Sequence, residues 1–217
     1  MDAALEHHRS GDRSHLREVE AILQRLRAFS DRLVPLSDAE WSRFIDGMHA
    51  RKLAPREYFL RSGSICDHIA FIGKGALRMF HERDGEEITI DICLDGSYCT
   101  DYVSFLTRQP STRSIQAIDE VEMVVFDRDH LEHLYATSPM AERMGRRIAE
   151  GLFIHLAERT GQFLTESPEQ RYVRMLNERP EVVQRIPLRF VASYLGVRPE
   201  TLSRIRSRWA RSRKRAA

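Results

Sequence analysis

The stretch 188–208, which reads LRFVASYLGVRPETLSRIRSR, constrains the fold more than any other part of this chain. Gly196 lies where a tight turn needs positive φ, and Pro199 lies where the first turn of a helix tolerates a missing N–H. Apolar residues recur at helical spacing on both sides of this turn. They are Leu188, Val191 and Leu195 before it, and Leu202, Ile205 and Trp209 after it. The pattern predicts a helix-turn-helix whose second helix covers 199–209.

The outward face of that second helix follows by subtraction of the apolar positions. Seven polar residues remain as candidate DNA contacts: Arg198, Glu200, Thr201, Ser203, Arg204, Ser207 and Arg208. Arginine can bind guanine through two hydrogen bonds, and a carboxylate can accept from the amino group of cytosine. The set therefore suits the major groove. The alternative is a surface helical hairpin in an ordinary globular domain.

Charge is distributed unevenly along the 217 residues, although the net charge is only +2. Residues 166–217 contain thirteen Lys or Arg and five Asp or Glu, a net of +8, which leaves −6 for the first 165 residues. A basic C-terminal quarter on an acidic body indicates a polyanionic partner for that quarter alone. Its last basic residues are Arg206, Arg208, Arg211, Arg213, Lys214 and Arg215.

The first half of the chain predicts helices followed by many short strands. Residues 1–13 are expected to be a disordered tail, a helix is expected over 14–29, and Ser37 with Glu40 forms a capping-box pattern for a helix ending near His49. The predicted strands are 58–60, 69–72, 77–80, 88–93, 114–117 and 121–126, with a short helix over 101–107. Regular turn spacing predicts a small antiparallel roll, so residues 14–136 are assigned to one effector domain.

A long helix is predicted to begin at Ser138-Pro139 and to reach about Leu164. Its apolar residues exceed what a small roll can cover, which indicates pairing with a second copy; the alternative is that it packs on its own roll. Residues 137–165 are thus assigned as a dimerisation helix, and 166–217 as the helix-turn-helix domain with a basic tail. The fold class is α+β.

The absence of several sequence motifs restricts the possible functions. No run reaches the roughly 18 apolar residues of a membrane helix, and the polar N-terminus is unlike a signal peptide, so a cytoplasmic protein is expected. Cys66, Cys93 and Cys99 form no CxxC pair and are expected to be buried thiols, with any redox role open. No hydrolase, zinc-protease or phosphate-loop motif occurs, so no enzyme, metal or cofactor is expected.

The order of roll, long helix and helix-turn-helix resembles the CRP/FNR family of bacterial transcription regulators. The residues that carry this resemblance are 191–197 (VASYLGV) and 200–205 (ETLSRI), with the glycines of the roll. The resemblance implies a homodimer that binds a palindromic operator in double-stranded DNA and contacts RNA polymerase. It makes Glu200 and Arg204 the main base readers, with Arg198 and Ser203 assisting.

The same resemblance places a cyclic-nucleotide phosphate cassette in the roll. The corresponding effector-pocket residues are Tyr98, Asp101, Ser111, Thr112 and Arg113. Thr100 replaces the glycine of the family pattern, and Ser111 lies where the phosphate-binding arginine is expected. Cyclic AMP is therefore not expected to bind, and the effector, where there is one, is a different small molecule.

The sequence thus predicts a homodimeric, sequence-specific DNA-binding regulator. One alternative is a regulator activated by a cyclic nucleotide. Another, from a different class, is an adaptor that binds an acidic protein through its basic C-terminal quarter.

Overall fold

The computed structural model describes the backbone of residues 3–216 and the side chains of residues 16–212. The helices and strands of the described residues are, in chain order, α1 (Ala3–Leu33), α2 (Asp38–Ile45), β1 (His49–Leu53), β2 (Tyr58–Leu60), β3 (His68–Lys74), β4 (Leu77–Arg83), β5 (Glu86–Cys93), β6 (Tyr98–Cys99), α3 (Tyr102–Thr107), β7 (Ser114–Ala117), β8 (Val121–Asp127), α4 (Arg128–Thr137), α5 (Pro139–Thr165), α6 (Pro168–Glu178), α7 (Pro180–Arg185), α8 (Leu188–Tyr194) and α9 (Pro199–Ala216).

These elements form two four-stranded sheets, with strand orders β1-β8-β3-β6 and β2-β7-β4-β5. The pairs β1–β8, β2–β7, β3–β6 and β3–β8 are antiparallel. The predicted α+β class with an antiparallel roll and C-terminal helices is confirmed. The chain groups into two compact units, Met1–Leu77 with Cys93–Ala149 and Arg78–Ile92 with Glu150–Ala217. These units do not follow the predicted domain boundaries 14–136, 137–165 and 166–217, which stay predictions.

The core of the first unit lies around β3 and β8, which are covered on one side by α1. Phe71 and Ile72 of β3 are fully buried, and so are Met123 and Val125 of β8. Leu26 of α1 is fully buried as well. Both faces of the sheet that contains β8 are covered. β8 is therefore apolar over consecutive residues and lacks the polar–apolar alternation of a strand with one solvent-exposed face.

The helix predicted from Ser37 is present but ends earlier than expected. Both bonds of the capping box form: the Glu40 amide donates to Ser37 Oγ (3.3 Å), and the Ser37 amide donates to Glu40 Oε2 (2.8 Å). α2 then ends at Ile45, and Gly47 turns the chain with φ +79°. The residues predicted to end the helix therefore open β1, a charged edge strand that the sequence pattern did not indicate.

Two further predictions need correction, and one helix was not predicted. The helix α1 begins at Ala3, which contradicts the predicted disorder of residues 1–13; this stretch is polar, but its Ala, Leu, Glu and Arg residues favour a helix and no proline interrupts them. Residues 1 and 2 lie outside the described residues. The sequence pattern did not indicate α7, whose first turn contains Pro180. The helix predicted over 199–209 continues to Ala216, because no Gly or Pro ends it.

In the second unit, α8 and α9 form the predicted helix-turn-helix. Gly196 has φ +70°, and the amide of Val197 donates to the carbonyl of Ala192 (3.0 Å), which closes the turn. Ala192 and Leu202 are fully buried where the helices meet. A Cβ at position 196 would lie 2.8 Å from the Phe163 ring, so this turn needs glycine for space as well as for φ.

None of the helices described for residues 3–216 combines the length and the apolar character that crossing a membrane requires.

We expect Gly75→Ala to destabilise the protein far more than Gly85→Ala, although both glycines have positive φ. At Gly75 (φ +104°) a Cβ would lie 2.3 Å from the Glu120 carbonyl oxygen, whereas at Gly85 (φ +78°) nothing lies within 4 Å. The expected losses in the free energy of unfolding are about 3 kcal/mol and about 1 kcal/mol, measured by urea unfolding. Equal losses would contradict the tight approach of Gly75 to the strand β8.

Candidate nucleic-acid interface and effector roll

The seven predicted DNA-contact residues are all exposed. They are Arg198 in the turn, and Glu200, Thr201, Ser203, Arg204, Ser207 and Arg208 on α9. With 3.6 residues per turn, Glu200, Arg204 and Ser207 share the face opposite to the buried Leu202 and Ile205. This face offers a carboxylate, a guanidinium and a hydroxyl.

Two of these side chains also contact their own unit. Arg208 Nη1 lies 3.7 Å from Glu169 Oε2 of α6, a surface ion pair that costs little to break. The Ser207 hydroxyl donates to the Ser203 carbonyl (3.0 Å), which leaves its oxygen able to accept. The basic residues beyond position 212 have no described side chains.

The hairpin formed by β4 and β5 supports α8 from within the same unit. The Thr89 amide donates to Ser193 Oγ (2.8 Å), and this hydroxyl donates to the Glu87 carbonyl (3.3 Å). The buried Arg78 guanidinium stacks on Phe80 (4.0 Å) and on Phe190 of α8 (4.1 Å). Sequence reasoning assigned no role to Ser193 or Arg78, because their partners lie about a hundred residues away along the chain.

Arginines of α5 and α6 cap the carbonyl end of α8. Arg159 donates to the Tyr194 carbonyl (3.0 Å), and Arg171 donates to the Leu195 carbonyl (3.0 Å). Positive charge at the C-terminus of a helix is favourable because the carbonyl dipoles point there. The first helix of the motif is thus fixed at its end, and α9 is positioned through it.

In the first unit, the structure brings three of the five predicted effector-pocket residues together. The Ser111 hydroxyl donates to Asp101 Oδ2 (2.6 Å), and Arg113 Nη1 lies 3.4 Å from Asp101 Oδ1. Asp101 and Ser111 are buried, and Arg113 is partly exposed. The Arg113 guanidinium is therefore paired with a carboxylate of the same roll.

The other two predicted pocket residues are Thr112 and Tyr98. Thr112 is exposed. The Tyr98 ring packs against Phe29 (5.4 Å), Phe71 (5.2 Å) and Phe126 (6.1 Å), where burial raises the pKa of its phenol well above the usual value. The roles of all five residues in an effector pocket stay predictions.

The helix α3 is stabilised by a buried arginine, Arg128, which the sequence did not single out. Arg128, the first residue of α4, donates to the carbonyls of Phe105 and Cys66 and pairs with Asp67 Oδ1 (3.0 Å). Its guanidinium also stacks on the Phe105 ring at 4.5 Å. Cys66, Cys93 and Cys99 are all buried.

Comparison with known proteins identifies the roll. Residues 50–138 match the family described as the cyclic nucleotide-binding domain. No curated protein matches this chain. One of the solved structures that resemble it is CLP of Xanthomonas campestris, which is described as a c-di-GMP-responsive global regulator. The two sequences are 19% identical, and the superposition covers 81% of this chain and 93% of CLP with a TM-score of 0.64.

Two further solved structures have the same arrangement. FixK2 of Bradyrhizobium japonicum is 17% identical, with 76% of this chain and 85% of that chain covered and a TM-score of 0.65. A protein of Eubacterium rectale assigned to the CRP/FNR family of transcriptional regulators is 17% identical, with coverage of 78% and 82% and a TM-score of 0.61. The fold is that of CRP/FNR regulators. The predicted resemblance is confirmed at this level, and the divergence of the cassette stays a prediction.

Proposed function

We propose that this protein is a homodimeric, sequence-specific DNA-binding transcription regulator without catalytic activity. The observation that carries the proposal is α9, whose polar face is exposed while its opposite face is buried against the first helix of the motif. A helix held in this way can enter the major groove and present its N-terminal residues to base edges. The likeness of the fold to CRP/FNR regulators supports it.

The chemistry of the exposed face favours base recognition by Glu200 and Arg204. They lie one turn apart on α9, and both side chains are exposed to solvent. Arg204 can donate two hydrogen bonds to guanine, and Glu200 can accept from cytosine. Arg198 and Ser203 lie beside them and can contact neighbouring bases or phosphates. The protein would act in the cytoplasm, with RNA polymerase as a further partner.

Dimerisation through α5 is proposed from its uncovered apolar side chains. Phe153 is 73% exposed and Leu164 is 81% exposed, and the helical repeat places both on one face. Large apolar side chains on a long helix are the usual core of an interface between two copies. Two copies would present two α9 helices to half-sites about one turn of DNA apart.

The roll is proposed to act without cyclic AMP. A cyclic nucleotide needs a positive group for its phosphate, and Arg113 is already paired with the buried Asp101. Binding would require that this pair be broken and a buried carboxylate be left without its partner, which is costly.

The experiment that tests the function is selection of bound duplexes from a random-sequence library by the untreated protein. We expect an enriched palindrome with half-sites about ten base pairs apart. Arg204→Ala should then weaken binding to that duplex by about 1–3 kcal/mol and relax sequence choice at one base pair of each half-site. Arg206→Ala, an exposed arginine off this face, is the matched control and should weaken selected and random duplexes alike.

Equal losses from Arg204→Ala on selected and random duplexes would remove Arg204 as a base reader. Failure to retain any duplex at low salt, with retention of an acidic protein instead, would favour the adaptor alternative.

For the dimer, we expect Phe153→Glu to shift the equilibrium toward monomer. A central aromatic residue of an interface contributes about 2 kcal/mol or more, so each substituted copy should weaken association by roughly thirtyfold. Sedimentation velocity over a concentration series measures the shift. The control is Arg147→Glu, an exposed change on the same helix away from the apolar face. A monomeric wild-type protein, or unchanged association in Phe153→Glu, would contradict the assignment of α5.

For the roll, we expect titration calorimetry with cyclic AMP and cyclic GMP to give no saturable heat at micromolar concentrations. Micromolar binding of either nucleotide would contradict the proposal that the Asp101–Arg113 pair prevents nucleotide binding. It would favour the alternative of a regulator activated by a cyclic nucleotide.

A further inference from the structure

The second unit contains a recess that is separate from the polar face of α9. It lies among α5, α6 and α8 and has a volume of about 90 Å³. Four of its lining side chains are arginines, Arg159, Arg171, Arg174 and Arg179, and its floor includes Tyr194 and Leu195 at the end of α8. Such a concentration of guanidinium groups around a small recess calls for a compensating negative charge.

Arg159 is the central cation of this recess. Its guanidinium stacks on the Tyr194 ring at 3.6 Å and donates to the Tyr194 carbonyl at 3.0 Å. Burial lowers the pKa of this guanidinium, and the influence of Tyr194 and Asp91 offsets only part of the effect. The charge is thus held in a poorly solvated place without an adjacent carboxylate.

Arg171 and Arg179 line the same recess, and the acceptors of their hydrogen bonds are also neutral oxygen atoms. Arg171 is 9% exposed and donates to the carbonyls of Leu195 and Glu166. Arg179 donates to the Ile92 carbonyl (2.6 Å) and to the Tyr194 hydroxyl (3.5 Å). Among the described side chains, no carboxylate oxygen lies within 4.0 Å of any of these three guanidinium groups.

Two carboxylates, those of Glu158 and Glu178, also line the recess, and neither pairs with Arg159, Arg171 or Arg179. Arg174 pairs with Glu178 (3.0 Å) and with Glu166, which lowers the pKa of the Glu166 carboxyl. Glu158 is exposed to solvent. The carbonyl end of α8 contributes only about half a negative charge. Asp91 and Glu166 influence Arg159 and Arg171 electrostatically, but no described carboxylate forms an ion pair with Arg159, Arg171 or Arg179.

We propose that this recess binds a small tetrahedral oxyanion, phosphate or the terminal phosphate of a small metabolite, between Arg159, Arg171 and Arg179. Guanidinium groups donate to phosphate oxygens in a matching planar geometry, and each still has N–H groups beyond those used in the bonds above. The recess is well below the roughly 300–1,000 Å³ of pockets that enclose a drug-sized ligand, so the site fits an anionic group and not a whole nucleotide.

The position of the recess argues against a second copy of the chain or a DNA backbone as its occupant. His155, Arg159 and Gln162 line it from the face of α5 opposite to Phe153 and Leu164, so a second copy on the apolar face would not fill it. Arg171 is too deeply buried for a DNA backbone to reach. A bound oxyanion would bridge α5, α6 and the end of α8, and would therefore stabilise the position of the helix-turn-helix.

The test is titration calorimetry of the full chain with inorganic phosphate, against sodium chloride at constant ionic strength. We expect saturable binding with a Kd at or below about 1 mM. Arg159→Gln should weaken it about tenfold or more, because a charge-assisted contact is lost. Arg159→Lys keeps the charge but not the planar guanidinium, so its phosphate affinity should lie between those of the wild type and Arg159→Gln. This variant replaces Arg159→Gln in the test if the glutamine variant does not fold. Arg143→Gln, an exposed arginine at the other end of α5, is the control and should bind as the wild type does.

The proposal would be overturned if the folded wild-type protein showed no saturable phosphate binding, or if the wild type and both Arg159 variants bound phosphate with equal affinity. Displacement of phosphate by excess random-sequence duplex would also overturn it, since the recess would then be a contact for the DNA backbone. None of these measurements depends on sequence-specific DNA binding, so failure of this inference and failure of the proposed function can be told apart.

Discussion

The turn between α8 and α9 allows very little variation, and the C-terminal unit is arranged around it. Gly196 has positive φ and lies against the Phe163 ring, where a Cβ would come within 2.8 Å. The same end of α8 receives hydrogen bonds from Arg159 and Arg171, and Ser193 one turn away is bound to the β5 backbone. The exposed face of α9 is therefore a consequence of how α8 is held, since α9 packs on α8 through fully buried apolar residues.

Some arginines of the two units differ in the groups that accept their hydrogen bonds. In the roll, the carboxylate of Asp101 pairs with Arg113, and Asp67 pairs with the buried Arg128, so each guanidinium has an internal acid. In the C-terminal unit, Arg159 and Arg171 are satisfied by neutral carbonyl groups. Hydrogen bonds to carbonyls satisfy donors but do not cancel charge. The arginines of the proposed oxyanion recess therefore differ from Arg113 and Arg128 in having no paired carboxylate among the described side chains.

The sequence predicts well those parts of the fold that depend on residues close together in the chain. The capping box at Ser37 and the turn at Gly196 depend on neighbours within a few residues, and the structure has both. β1 escaped prediction because an edge strand is polar, and its pairing with β8 depends on residues about seventy positions away. The contacts of Ser193 and Arg78 that support α8 could not be predicted for the same reason. The polar face of α9 could be predicted, because it is what remains after the apolar residues are subtracted.

Net charge is the least specific of the sequence signals, and the structure shows why. The C-terminal quarter is basic by count, but its arginines do three different things. Arg171 is buried and caps α8, Arg174 is paired with Glu166 and Glu178, and Arg204 is exposed on α9. A sequence count treats these guanidinium groups as equivalent, whereas only the exposed ones can attract a polyanion over a distance. Part of the basic charge is thus used inside the unit, where it positions the helices. The basic charge that remains exposed to attract a polyanion is smaller than the composition suggests.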